Sequence, residues 1–505
     1  RNFMGMNSSD YGGGTPVLDV WRRDGGLALG HLEVSPRLVS LPLTVERTGA
    51  RMAITFDYDT KEPFILAPGG RLSTIETFIA VHLGDHYATL RAYREVMGLR
   101  GLGQAPVPDS AYEPIWCAWG YERDVTMDDI VGALPKAREL GLQWAVIDDG
   151  WQTAEGDWYL DPVKFPHGDA DMKALVQRIK AAGMRPKLWL APLAVDPGTD
   201  LLHDHTDMLL LDKDGAVQDV TWWNSFYLCP AYEKTVENGK ALVTKIMRDW
   251  GYEGLKIDGQ HLNGVAPCYN PAHKHAHPWE SVEKLQDYWK ALYDTAMAIN
   301  PDAVVEICPC GTSHAFHNTP SMNQAVASDP LSSWQVRLKG KSLKALMGES
   351  AAYCGDHVEL SDAGEDFASS VGIGAVIATK FTWPPTDRQP AAKYALTPER
   401  ERKWQRWTRI YKDKMLPKGV YRGELYDIGF DKPETHVVEK DGRLHYAFYA
   451  SEWSGPVSFR GLAGGRRYQL HDYWNDRPLG TVTAGSNRLD ITFRGFLLIE
   501  AQAVT

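Results

Sequence analysis

Trp144-Ala145-Val146-Ile147-Asp148-Asp149-Gly150-Trp151 places four apolar residues, enough for a short buried strand, directly before two carboxylates, a glycine and an indole. A fully apolar strand that ends in an acidic turn is the pattern of a parallel β/α unit, which is covered on both faces and carries its polar groups at the carboxyl end. The alternation continues in both directions. Downstream come a helical pattern at 171–182, the strand Lys187-Leu188-Trp189-Leu190, a helix at 232–250 and the strand Leu255-Lys256-Ile257. A helix at 281–299 and a strand at 303–307 follow, then a strand at 324–327 with its helix at 332–347. A strand near Tyr353, a helix at 366–376 and a strand at 377–381 complete the series, before a last helix at 398–415. Upstream, Ile115-Trp116-Cys117-Ala118-Trp119 reads as a strand, and 126–140 as a helix with Thr126 at its N-cap and acids just inside. Eight such units predict an α/β fold, a TIM (β/α)8 barrel over 106–416. A doubly wound sheet is the runner-up, but no G-x-G-x-x-G follows the first strand, and Gly372-Ile373-Gly374 lacks the third glycine.

The flanks read differently. Residues 1–105 alternate apolar and polar residues in short runs broken by Gly and Pro, as in Pro68-Gly69-Gly70, and predict an N-terminal β domain closed by a helix near 85–97. Residues 417–505 repeat the two-residue period, as in Leu444-His445-Tyr446-Ala447-Phe448-Tyr449, and predict a C-terminal antiparallel β-sandwich.

Composition narrows the function. A net charge of −11 argues against a nucleic-acid partner, and no stretch reaches the ~20 apolar residues of a membrane span. The chain begins at Arg1 with no basic segment leading into an apolar run, so no secretion signal is read. The compartment stays open between the cytoplasm and export with a removed signal; a homo-oligomer is compatible with the sequence. Asn7-Ser8-Ser9 fits a glycosylation sequon. Six cysteines in 505 residues make no disulfide framework. His273, His275 and His277 alternate with His261 nearby, a pattern able to bind zinc, but their Pro-flanked polar setting reads as a loop. No metal and no cofactor is expected.

The strand ends carry the chemistry. After the successive strands come Trp119, then Asp148-Asp149-Gly150-Trp151, then Lys187 and Trp189 on the third, then Lys256 and Asp258. Later ends give Cys308-Pro309-Cys310, Ser328-Asp329 with Arg337 eight residues on, Asp356-His357, and Trp383. Carboxylates and indoles on one mouth compose a sugar site: carboxylates accept hydrogen bonds from hydroxyl pairs, and indoles cover the C–H face of a pyranose. Two further carboxylates suffice for a retaining displacement. For each acid the alternative is a turn residue, and Asp356 and Asp362 compete with Asp329.

Asp148-Asp149-Gly150-Trp151-Gln152, Lys256-Ile257-Asp258 and Ser328-Asp329, preceded by Pro114-Ile115-Trp116-Cys117-Ala118-Trp119-Gly120, resemble the signature of clan D glycoside hydrolases, most closely family 36, the melibiase-type α-galactosidases. The resemblance covers roughly 112–385. It implies that Asp258 is the nucleophile and Asp329 the acid/base. It implies that Asp148 and Asp149 hold the 4- and 6-hydroxyls, and that Lys256 bonds the sugar and keeps Asp258 ionised. Cys308 or Cys310 would touch the 2-position, Trp151 and Trp189 would form an apolar wall, and Arg337 would reach the 2-hydroxyl or the acid/base. The substrate would be an α-galactosyl or α-N-acetylgalactosaminyl oligosaccharide or glycoconjugate. The activity implied is release of terminal α-galactose. Alternatives are an α-N-acetylgalactosaminidase, a transferase of the raffinose or stachyose synthase type, and a non-catalytic sugar-binding barrel.

The sequence also departs from the pattern. Pro309-Cys310-Gly311-Thr312-Ser313-His314 replaces the family's glycine run with its arginine, so the 2-substituent is open. Trp222-Trp223-Asn224 stands where an arginine is usual, and Gly259-Gln260 follows the nucleophile. The N-terminal domain is shorter than the family's supersandwich, hence reduced or begun partway through.

Overall fold

The computed structural model describes residues 14–22, 25–56, 65–220, 223–259, 265–362, 364 and 366–504. The sequon at Asn7 and the residues Trp222, Gln260 and His261 lie outside them. Eight strands form the predicted barrel: β1 (Ile115–Cys117), β2 (Trp144–Ile147), β3 (Arg185–Leu190), β4 (Gly254–Asp258), β5 (Val304–Cys308), β6 (Gln324–Val326), β7 (Tyr353–His357) and β8 (Val376–Thr379). All pair in parallel, and β8 closes on β1. Alternate residues face the axis, so Cys117, Val146, Val304, Cys308, Val326 and Cys354 share one buried interior cluster.

The helices start where their caps allow. Thr126 and Asp129 make a reciprocal capping box at the head of Met127–Glu139. The helix expected over 366–376 is cut to Ala368–Gly372. Gly374 ends it in the left-handed region at φ 64°, its N–H donating to the Val371 carbonyl at 3.1 Å and the Ala375 N–H to that of Ser370 at 2.7 Å, while Gly372 leaves room for Tyr449, whose Oη donates to the Ala368 carbonyl at 2.8 Å.

At the N-terminal end Val17–Arg22, Gly25–His31 and Thr77–His82 form a three-stranded antiparallel sheet. It shares one continuous core with the barrel. The helix His86–Leu99 packs on the barrel helix Ser333–Met347, where His86 Nε2 lies 3.2 Å from Ser342 Oγ and Asp85 pairs with the buried Lys341. The C-terminal strands join in one seven-stranded antiparallel sheet around a second core containing Val437, Tyr446, Phe448 and Leu497. Its two longest strands, Arg443–Ser458 and Arg488–Val504, pair across a bulge between Ala450 and Glu452.

Arg337 belongs to this docking surface and not to the barrel mouth, which corrects its assignment to the sugar. Its guanidinium donates to Glu434 twice, at 3.0 and 2.7 Å, and to Ser369 Oγ at 2.8 Å, and it lies 4.1 Å over the Tyr449 ring. The side chain points from the helix toward the sheet, whereas a residue at the mouth must follow a strand. Arg337→Ala removes two of the donors to the buried Glu434 and leaves it to His436, whose Nε2 lies 2.7 Å from Oε1, so unfolding free energy measured by denaturant titration should fall by about 3 kcal/mol. Activity of the chain that remains folded should be unchanged; a loss of turnover at unaltered stability would return Arg337 to the site.

Candidate active site

The layer beneath the mouth is closed. Lys187 points into the barrel, but its ammonium is fully buried between Glu306 Oε2 at 2.9 Å and Gln324 Oε1 at 2.6 Å, with the Trp144 ring 5.3 Å away. Two residues further along the same face, Trp189 reaches the mouth. Lys187 therefore neutralises a buried acid one layer below, a correction to its reading as a sugar contact.

Lys256 shares its register with Trp189 on β3 and Glu306 on β5. Its ammonium meets Asp148 Oδ2 at 2.7 Å, and the Cys117 thiol donates to the same oxygen at 3.0 Å. The backbone N–H of Asp149 donates to Asp148 Oδ1 at 3.0 Å. Burial would push this carboxyl up, but Lys256 and the two other donors overcome it and hold Asp148 below its usual range. Asp149 has separate partners: Arg123 Nε at 2.7 Å on one oxygen and Gln152 Nε2 at 2.7 Å on the other. Burial outweighs Arg123 here and the carboxyl is raised. Each oxygen retains a lone pair for a hydroxyl.

Asp258 ends β4, two residues after Lys256 and on the same face. Trp189 Nε1 donates to its Oδ2 at 2.8 Å, and the Gly259 N–H to its Oδ1 at 2.7 Å. These donors orient the carboxylate and favour its charged form. Burial nonetheless pushes Asp258 up to about 7, with Asp148 and Asp329 adding to the rise and Lys256 and Trp189 opposing it.

Asp329 is exposed at the rim beyond β6. It and Ser328 are consecutive non-glycine residues in the left-handed region, at φ 46° and 56°, and Asp356 after β7 has φ 63°. Such conformations cost on the order of 1–3 kcal/mol each and persist only where the surroundings hold them. The restraints are visible. Asp356 Oδ2 accepts from the Asp329 N–H at 2.6 Å, Ser328 Oγ accepts from the Gly311 N–H at 2.8 Å, and Lys339 donates to the carbonyls of Ala327 and Ser328 at 2.6 and 3.0 Å. Although the residue is exposed, the protein packed around its carboxyl group strips part of its water, and this and the Asp356 charge raise the Asp329 carboxyl. Cys308 is buried beside Ser328, its sulfur 3.4 Å from Oγ, while Cys310 lies at the turn with φ 46°.

The tryptophans divide. Trp151 is buried behind the site: its Nε1 donates to the Trp189 carbonyl at 3.0 Å, and its ring stacks on Trp158 and meets Trp250 edge-on. It supports Trp189 and does not line a sugar wall, so that expectation is corrected. Trp189 acts through its N–H on Asp258. Half-buried Trp223 stands edge-on to Trp189 at 5.8 Å, and Trp119 is half-buried against the interior cluster. Trp383 lies outside the mouth with Lys136 over its ring at 4.8 Å. Sequence reasoning missed Arg123, Gln152 as a holder of Asp149, and Ser328 as a brace. Gln152 and Ser328 had a signal, each standing in a motif beside the acid it serves, Asp149 or Asp329; Arg123 had none.

The melibiase family profile matches residues 114–330. The "A type blood alpha-D-galactosamine galactosaminidase" of Flavonifractor plautii is 33% identical over 515 residues, spanning 98% of this chain and 45% of that protein. "Alpha-galactosidase 2" of Pediococcus pentosaceus is 28% identical over 38% of this chain and 27% of its own length. This chain thus spans less than half of either relative. The crystal structure of the GH36 alpha-galactosidase AgaA from Geobacillus stearothermophilus superposes with a TM-score of 0.70 at 16% identity, covering 97% of this chain and 69% of that one.

Proposed function

This chain belongs to the melibiase family, its barrel carrying the matched residues 114–330, and on that premise we propose that it is a retaining exo-glycoside hydrolase releasing terminal α-linked galactose by double displacement. One observation carries the reading. A buried carboxylate, Asp258, is aimed by two N–H donors, while a second, Asp329, is held at the rim by a strained turn close enough to raise its charge cost. Asp258 attacks the anomeric carbon from the face opposite the leaving oxygen. Asp329 gives its proton to that oxygen as the glycosidic bond breaks. The Asp258 ester is then opened by water, whose proton returns to Asp329, and the α configuration is restored. Asp148, Asp149 and Lys256 hold the ring hydroxyls and select the axial 4-hydroxyl.

A second reading concerns the 2-position. The galactosaminidase similarity runs through nearly the whole chain. The loop after β5 brings no arginine or lysine, and its His314 is kept neutral by burial, pushed down to about 4 while bonded to the Val326 carbonyl at 2.9 Å. A 2-ammonium group would meet no competing cation from that loop. p-Nitrophenyl α-glycosides separate these readings. Highest kcat/KM on the α-galactoside supports galactose, and a tenfold or greater preference (about 1.4 kcal/mol) for the α-galactosaminide supports the amino sugar. An N-acetylgalactosaminide preference selects the acetylated alternative. A preference for the α-glucoside would defeat all three.

A further inference from the structure

Cys229 follows the strand Ser225–Tyr227, part of the insertion after β3, and Cys268 lies in the loop after β4. They are 39 positions apart, with no finger-like spacing. In the structure Cys229, Cys268, His273 and His275 converge, with one donor atom from each lying within 4.8 Å of all the others. We propose that these four residues form a zinc site that ties the loop following the nucleophile strand to the insertion after β3.

The distances suit an ion. Cys229 Sγ is 3.3 Å from His275 Nε2, and Cys268 Sγ is 3.2 Å from His273 Nδ1. A tetrahedral zinc with Zn–S of about 2.3 Å and Zn–N of about 2.1 Å sets such S···N edges at about 3.6 Å, so a few tenths of an ångström of expansion admits it. The other ring nitrogens are also placed for the task. His273 Nε2 lies 2.6 Å from the Asp207 carbonyl, and His275 Nδ1 faces Glu280 Oε2 at 3.9 Å. A ligating imidazole ordinarily gives its second N–H to such a carbonyl or carboxylate, which fixes the tautomer and raises the basicity of the ligating nitrogen.

The frame around the cluster is independent of the metal. The Cys268 N–H donates to the Pro278 carbonyl at 2.8 Å, the Tyr269 N–H to Leu211 at 2.8 Å, Asn270 Nδ2 to Leu209 at 2.7 Å, and the Cys229 N–H to Met208 at 2.9 Å. Tyr232 stacks on His273 with centroids 4.1 Å apart. Both cysteines are almost fully buried, at 0% and 2% exposure. Two thiolates and two imidazoles select zinc among abundant divalent ions, and four protein ligands leave no open position, so the site is structural. His277 takes no part: it stacks on Trp279 and faces Glu283 at 3.4 Å. The alternating histidines, read as a plain loop, thus contribute two ligands, and the missing pair are cysteines.

The test is elemental analysis of the full chain, expressed with zinc and dialysed against a weak chelator. About one zinc per chain is expected. A strong chelator should remove it and lower the melting temperature, and added zinc should restore both. Cobalt introduced into the apo chain should show thiolate-to-cobalt charge transfer and tetrahedral d–d bands. Cys229→Ser/Cys268→Ser should lose the ion; if that variant does not fold, the cobalt spectrum of the unmutated chain decides. Less than about a tenth of a zinc per chain after exposure to zinc, or a Cys229–Cys268 disulfide in the purified chain, would overturn the proposal. So would a cobalt spectrum lacking thiolate bands.

Discussion

Asp258→Asn should abolish turnover, with kcat/KM for the preferred α-glycoside falling at least ~10⁴-fold, the scale seen when a covalent nucleophile is removed. The side chain keeps its shape and an oxygen for the Trp189 or Gly259 donor, so the loss is chemical. Stability should move the other way. Burial raises the Asp258 carboxyl from 3.8 to about 7, so between those values the folded chain binds more protons than the unfolded one. The ionised form therefore costs folding free energy, and that cost is complete only above pH 7. Asn carries no such cost. The variant should gain stability over the native chain above pH 7, and the gain should vanish as pH falls toward 4. In the native enzyme kcat/KM should rise with pH through about 7 as Asp258 ionises. A variant with full turnover would remove Asp258 from the reaction.

Asp329→Ala should lower kcat/KM by about 10²–10⁴-fold on a glycoside with a poor leaving group, which needs the proton. On an activated aryl glycoside the first step should be nearly spared and the ester should accumulate. Azide should then restore turnover and give a galactosyl azide of α configuration, because a small anion needs no general base. Asp356 supplies the contrast. It accepts from the Asp329 backbone and carries left-handed strain of its own, so it positions the turn. Asp356→Asn should slow the reaction without azide rescue. Rescue at Asp356 and none at Asp329 would exchange the two roles. Asp362, the other competitor, lies at the docked C-terminal sheet with Arg337 and Glu434.

The barrel was legible because its signal is local: apolar strands, helical periods and caps such as Thr126 all lie within short windows. The pair Lys256 and Asp258 was legible because two residues apart on a strand means one face. Depth was not. Lys187 and Trp189 share a face, yet a single barrel layer separates a buried counter-charge from a donor at the mouth. Direction off a helix was not legible either, since Arg337 turns toward Glu434, 97 positions later. The Ser328-Asp329 turn depends on braces from three other segments, and the cysteine–histidine cluster on two distant loops. Each is set by long-range packing, which no window of sequence contains.

The central claim is that Asp258 becomes covalently glycosylated. Incubation with a fluorinated galactosyl fluoride, in which ring fluorination slows ester hydrolysis more than ester formation, followed by intact mass measurement and peptide sequencing, tests it directly. The account predicts one fluorogalactosyl group per chain, on Asp258, with no adduct on Asp258→Asn and a normal one on Asp356→Asn. An adduct on another carboxylate would contradict it, as would a turning-over enzyme that is never labelled and releases β-galactose as its first product.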